Sequence, residues 1–248
     1  MIKNLQVALV VLMASTAAYA DGGNTTNQSF DKAKSLLLKK VYRSDSDRQT
    51  VYCGAQFNNR KKVTLQPGYE NSVWRNRAKK VEIEHIVAAE NFGRSFPEWR
   101  DGSVLCVDKH GKKYKGRKCA TKASAQYRYM QADLYNLWPA QGSINAAHSN
   151  YRWAMLTNID TRFGSCNFKY DSKANLAEPT DRAKGIVARS AMYMASVYPK
   201  HYRLSKQQDR LFASWDKQYP VTKWECERAE RIATLQGNVN PILAARCK

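Results

Sequence analysis

Six cysteines, Cys53, Cys106, Cys119, Cys166, Cys226 and Cys247, constrain this chain more than any other feature. Their meaning depends on the compartment, and the first residues set it. Lys3 gives a positive start, residues 5–18 are mostly apolar or small, and Ala18-Tyr19-Ala20 has the small-x-small form of a cleavage site. Residues 1–20 therefore read as a secretory signal peptide. The apolar run is too short for a membrane span, which needs about 20 residues, and no later segment could cross one. In an exported chain an even number of cysteines implies three disulfides. No C-x-x-C pair is present, which argues against a zinc ribbon or a thioredoxin-type site. Six cysteines allow fifteen pairings, and spacing alone does not choose among them.

Removal of residues 1–20 leaves 228 residues, enough for one sizeable core. The formal charge is +20 for the whole chain, and Lys3 is the only charged residue in the removed part. Such an imbalance opposes compaction by self-repulsion and attracts polyanions: nucleic acid, anionic lipid or acidic glycans. The 41 Lys and Arg residues are interleaved with 14 Tyr and 6 Trp. That pattern predicts a folded basic surface, not a disordered polybasic tail.

Along the mature chain, "SFDKAKSLLLKKVY" has helical apolar spacing, and "TVYCGAQF" (50–57), "KKVTLQP" (62–68) and "VEIEH" read as strands. Residues 101–122, rich in Lys and Gly and closed by Cys106 and Cys119, read as a basic, disulfide-tied loop. "SAQYRYMQADLYNL" predicts a helix, and the C-terminal third is helical from Thr180. "SKQQ" (205–208) and "TKWE" (222–225) fit the capping box. With no repeat and no linker, the expectation is one α+β domain over residues 21–248, mainly helical with small β elements.

Four histidines bound the acid–base chemistry. His110 and His201 read as solvated loop residues, and His148 follows Asn145 closely enough to approach a site. His85 is distinct because it directly follows Glu84 at the end of a strand pattern. Strand neighbours point to opposite faces, so the pair can serve one centre only across a turn or from two sides. Taken alone, the pair favours an ordinary buried histidine. Downstream, "ADLYNLWPAQGSINAAHSNYRW" supplies Asp133, Asn136, Asn145 and Asn150, and amide and carboxylate oxygens are hard ligands suited to magnesium. Phosphodiester hydrolysis needs a base, a cation and a phosphate donor. His85, a Glu84/Asn145 metal site and an arginine fork could provide them.

The segments "VEIEHIVAAENFG", "GRKC", "QADLYNLWPAQGSIN", "AEPTDRAKGIVARSAMYM", "LFASWDKQYPVTKWECERAERIATLQGNVNP" and "YCG" together resemble the secreted and periplasmic endonuclease I family of bacteria, whose catalytic element is the ββα-metal, or His-Me finger, motif. The resemblance covers nearly the whole mature chain in family order. It implies that His85 is the general base, that Glu84 and Asn145 hold one divalent ion (Mg2+, or Mn2+ or Ca2+), and that Arg117 binds the scissile phosphate. It further implies that Asn136 and Gln131 support the site, and that the products carry 5′-phosphates. The chain departs from the family pattern at Gln131 and Ser143, where glutamate is common, and at Tyr135, where histidine is common. Cysteines usual at Ala55 and Pro67 are both absent, so one whole bridge is lost. Of the remaining pairings Cys106–Cys119 ranks first, followed by Cys53–Cys166 and Cys226–Cys247.

The resulting expectation is a monomeric, exported (periplasmic or extracellular), metal-dependent endonuclease. Its substrates would be double- and single-stranded DNA, and RNA. Lys112, Lys113, Lys115, Arg182 and Arg189 would contact phosphates, together with Lys184 nearby. Phosphate contacts position a duplex without reading sequence, so low specificity and strong salt dependence follow. Two alternatives come from other classes: a catalytically weakened nucleic-acid-binding protein, motivated by Gln131 and Ser143, and a cationic lipid-binding protein, supported by charge alone.

Overall fold

A computed structural model describes residues 22–247 apart from Ser72; the signal peptide expected at residues 1–20 lies outside the described residues. Helix α1 (Phe30–Leu36) starts where the Ser29 side chain accepts from the Lys32 N–H, and it runs on into a π turn over Leu37–Val41. Then come α2 (Arg75–Ala78), β1 (Val81–His85), α3 (Ala89–Gly93), α4 (Pro97–Arg100), α5 (Arg117–Ala123) and α6 (Ala125–Gln131). A 3-10 turn over Leu134–Asn136 leads into β2 (Leu137–Gln141), which passes directly into α7 (Gly142–His148). Three short strands follow, β3 (Arg152–Trp153), β4 (Lys169–Asp171) and β5 (Leu176–Glu178). The chain ends in α8 (Asp181–Val197), α9 (Lys206–Gln218), α10 (Lys223–Gln236) and α11 (Pro241–Ala244). Helices with small sheets are the α+β class expected.

β1 and β2 form a two-stranded antiparallel sheet in which Glu84 faces Trp138 and His85 faces Leu137. Pro139 cannot donate to a ladder, so it suits a strand with a free edge; its carbonyl accepts from the Val51 N–H at 2.8 Å. In the second sheet β5 is central, parallel to β3 and antiparallel to β4. α8 buries Ala183, Val187, Ala191 and Met194 in the core that also takes Phe212 and Trp215 of α9. Both predicted capping boxes form, Ser205 with Gln208 and Thr222 with Glu225.

Two sequence expectations are corrected. Residues 50–57 and 62–68 are not strands; they meet only in isolated bridges such as Phe57 with Val63. The reason is local. Gly54, at φ +68°, turns the chain back so that the Thr50 N–H reaches the Ala55 carbonyl, and the Cys53–Cys166 disulfide anchors that turn. The basic segment 101–122 is loop only as far as Gly116, after which α5 begins. Cys106–Cys119 and Cys226–Cys247 complete the three disulfides, paired as expected.

Candidate active site

The β1–β2–α7 unit places the predicted residues. β1 carries Glu84 and His85, and α7 carries Asn145. Beyond His85 the chain bends sharply, and the bend is satisfied by side chains. The Asn136 amide accepts from the Val87 N–H at 2.8 Å and donates to the Val87 carbonyl at 3.0 Å. The Trp153 indole donates to the Ile86 carbonyl. A buried asparagine thus replaces the missing strand neighbour.

His85 is buried, its ring 4.8 Å from that of Phe30. Nε2 lies 2.9 Å from the Gln131 carbonyl oxygen. A carbonyl only accepts, so Nε2 carries the proton and the Nδ1 lone pair remains free to accept. Burial, reinforced by the nearby Arg117 charge, pushes the imidazole pKa down to about 3 against the opposing pull of the Gln131 carbonyl. The ring is therefore neutral at ordinary pH. Gln131 acts on it through its main chain; the Gln131 side chain reaches Thr121 Oγ1 at 3.4 Å. A glutamine in place of glutamate leaves this anchor unchanged.

Glu84 reaches the same cleft from the other side. Its Oε1 accepts from Tyr52 Oη at 2.9 Å and contacts His148 Nδ1. None of the described residues donates to Oε2. His148 is buried, stacked on Trp153 with ring centroids 4.0 Å apart, and its Nε2 faces the Tyr151 carbonyl at 3.2 Å. The Asn145 Nδ2 donates to Glu82 Oε2 at 2.6 Å, and Glu82 in turn takes a two-pronged contact from Arg77. With its nitrogen committed, the Asn145 amide keeps Oδ1 for a ligand. Gly142 permits this packing, because a Cβ there would lie 2.7 Å from the Arg77 carbonyl and 2.6 Å from Glu82 Oε1.

Glu84, His85, Asn145 and Arg117 all line one cleft of about 440 Å³, together with Phe30, Lys34 and Lys61. Arg117 is exposed at the first position of α5, its guanidinium 5.2 Å from the Phe30 ring centroid. Lys112, Lys113 and Lys115 are exposed on the neighbouring loop, and Arg182 is exposed at the start of α8. Arg189 is not available to a ligand. It is buried and paired with Glu225 at 2.7 Å and Asp216 at 3.0 Å, so its charge is spent inside the fold. Lys184 is likewise buried between Glu178 and Asp181.

The other sequence candidates separate cleanly. Asp133 belongs to the core, accepting from Tyr193 and Tyr198 hydroxyls at 2.8 and 2.7 Å. Asn150 is tied to Glu90, and Tyr135 is buried with its hydroxyl donating to main-chain carbonyls. Ser143 is buried against the Tyr69 hydroxyl at 2.6 Å. His110 is solvated as expected, whereas His201 stacks on Phe96 at 4.0 Å. Sequence reading missed Tyr52, Glu82 and Trp153. The acidic Glu82, two residues before Glu84 on the same strand face, was the one signal that pointed to this shell.

The model of the family described as Endonuclease I matches residues 3–246. The chain belongs to the endonuclease I family. It is 35% identical to the Endonuclease-1 of Buchnera aphidicola subsp. Acyrthosiphon pisum, over 90% of this chain and 83% of that one. It is 35% identical to a periplasmic deoxyribonuclease of Aeromonas hydrophila (89% and 87% covered) and 33% identical to an extracellular deoxyribonuclease of the same organism (100% of both). As a member of this family the chain is an exported enzyme, in keeping with its three disulfides, and among the described residues no helix is long and apolar enough to cross a membrane.

Proposed function

We propose that this protein is a metal-dependent, sequence-nonspecific endonuclease that hydrolyses DNA and RNA and leaves 5′-phosphate ends, with β1–β2–α7 as its ββα-metal motif. The observation that carries this reading is the convergence of His85, Glu84, Asn145 and Arg117 on one cleft, with the His85 tautomer fixed by a backbone carbonyl.

The residues fit a divalent cation. Glu84 Oε2 and Asn145 Oδ1 are hard oxygen donors without a protein donor among the described residues, while their other polar atoms are held by Tyr52, His148 and Glu82. Two protein ligands with the rest water is the usual magnesium arrangement. Among the described residues no cluster of three His, Cys, Asp or Glu side chains could hold a metal, which directs the choice away from zinc-type ligation. A bound cation would neutralise charge on the phosphate and on the leaving oxygen.

The chain's own residues do the rest. The His85 Nδ1 accepts the proton of a water whose oxygen bonds to phosphorus. The P–O3′ bond breaks, and the 3′-oxygen leaves as a hydroxyl with a proton from solvent. Arg117 donates to the phosphate oxygens as their charge grows. The Nε2 bond to the Gln131 carbonyl favours the ring orientation that leaves Nδ1 free to accept. The exposed Lys112, Lys113, Lys115 and Arg182 hold phosphates without reading bases, as a monomer.

Plasmid digestion tests the reading. Wild type with Mg2+ should degrade plasmid, a chelator should stop it, and His85→Ala should lower the rate by about 10²–10⁴-fold. An intact plasmid with wild type, alongside persistent gel shifts, would establish the nucleic-acid-binding alternative instead.

A further inference from the structure

The catalytic cleft does not end at His85. A second groove, of about 610 Å³, shares Lys34, Leu38 and Lys61 with it and continues past Lys39, Arg48 and Asn58. Both grooves run along α1 and the π turn that extends it: Phe30 and Lys34 lie one helical turn apart, Leu38 lies in the π turn, and Phe30 sits beside the His85 ring. Lys34 is half-buried and pairs with Asp31 at 2.6 Å, and Arg48 pairs with Asp45. Lys39 and Lys61 are exposed and have no acidic partner among the described residues.

Lys61 is held in an unusual way. Its φ is +63°, in the left-handed region that favours glycine or asparagine. The turn that imposes this is fully braced. The Asn58 side chain accepts from the Arg60 and Lys62 N–H groups at 3.0 Å, the Lys61 N–H reaches the Asn58 carbonyl, and the Lys61 carbonyl accepts from Val81, the first residue of the catalytic strand. A lysine that costs backbone strain at the wall shared by two grooves is explained if its ammonium is used.

We propose that this second groove is a binding segment for the substrate strand, taking nucleic-acid phosphates on Lys61 and Lys39 beyond the scissile phosphate. This rests on the nuclease reading. Four cations, Lys34, Lys39, Arg48 and Lys61, line the groove together with Asp31, Leu38 and the buried Phe57, so its charge is suited to backbone phosphates.

The test is length dependence. Lys61→Asn, Lys39→Gln and their double variant are compared with wild type on a single-stranded 20-mer and on a tetranucleotide, with melting temperatures measured in parallel. The double variant should lose at least about five-fold more kcat/KM on the 20-mer than on the tetranucleotide, and its salt slope for 20-mer binding should fall by about 1–2. Lys61→Asn should melt at or about 2–4 °C above wild type, because the strain is relieved. Lys39→Gln, on the exposed face of the π turn, gives the same readout should the turn variant misfold. Equal losses on both lengths, or none on either, would overturn the proposal. Wild type that cleaves neither oligonucleotide would instead overturn the nuclease reading beneath it.

Discussion

His85 and Glu84 are neighbours whose surroundings drive them to different work. Phe30, Phe92 and the Gln131 carbonyl enclose the imidazole, while Tyr52 and His148 hold the carboxylate. His85 carries a pH signature. Its folded pKa of about 3 lies below the ordinary value of 6.5, so the unfolded chain binds a proton that the folded chain refuses. The resulting stability is fully present above pH 6.5 and falls as the pH drops from 6.5 toward 3. The contribution falls by about 1.4 kcal/mol per pH unit. Urea denaturation in the presence of a chelator, at pH 4, 5, 6 and 7, should show this slope reduced by one proton in His85→Gln; identical slopes would refute the assignment. If Glu84 ligates a divalent cation as proposed, His148, which contacts its Oε1, positions it, and His148→Ala should weaken Mg2+ binding by about 10–100-fold, as loss of an outer partner of a ligand does. Titration calorimetry reads this without turnover, and Tyr52→Phe, which keeps the ring, should cost less.

At the scale of elements, short pieces are fixed by a few tight restraints. Arg117 opens α5 two residues before Cys119, and the Cys106–Cys119 bridge ties that helix to the basic loop. Replacing both cysteines with serine opens a loop with a sequence separation of 13. On chain-entropy grounds the loss is about 3 kcal/mol, together with a raised KM from a loosened Arg117, measured by denaturation and steady-state kinetics. Elements with strong local signals were legible in the sequence: the alternation of β1, the capping boxes of α9 and α10, and the apolar stripe of α8. Strands of two or three residues, such as β3 and β5, carry too little period to be seen, and Gly54 with the Cys53 bridge turned an apparent strand into a turn. The family resemblance named Glu84, His85, Arg117 and Asn145, which the fold brings to one cleft. Sequence spacing hinted at His148 and Glu82, but their partners come from how α7 sits against β1, which is set by strand register.

Across the whole molecule, the charge of +20 divides into two populations that sequence alone could not separate. One is internal: Arg189, Lys184 and Arg228 are buried, and Arg189 bridges α8 to Glu225 of α10 and Asp216 of α9. Helical position did not reveal this, since a basic residue on the inner face of α8 looks the same in sequence as one on the outer face. The other population, including Lys112, Lys113, Lys115 and Arg182, remains exposed. The two make opposite predictions. Arg189→Ala leaves the buried Glu225 without its ion-pair partner, while Asp216 keeps Arg246, and it should destabilise the fold by about 3–5 kcal/mol, seen as a lower denaturation midpoint. Arg182→Ala, combined with glutamine at the three loop lysines, should leave that midpoint nearly unchanged. It should weaken binding to any DNA sequence alike and flatten the dependence of log Kd on log salt, by about 0.9 for each phosphate that is no longer neutralised. Sequence-selective weakening would instead mean that these side chains read bases, and a salt slope equal to that of wild type would mean that the exposed charge serves solubility and not substrate binding.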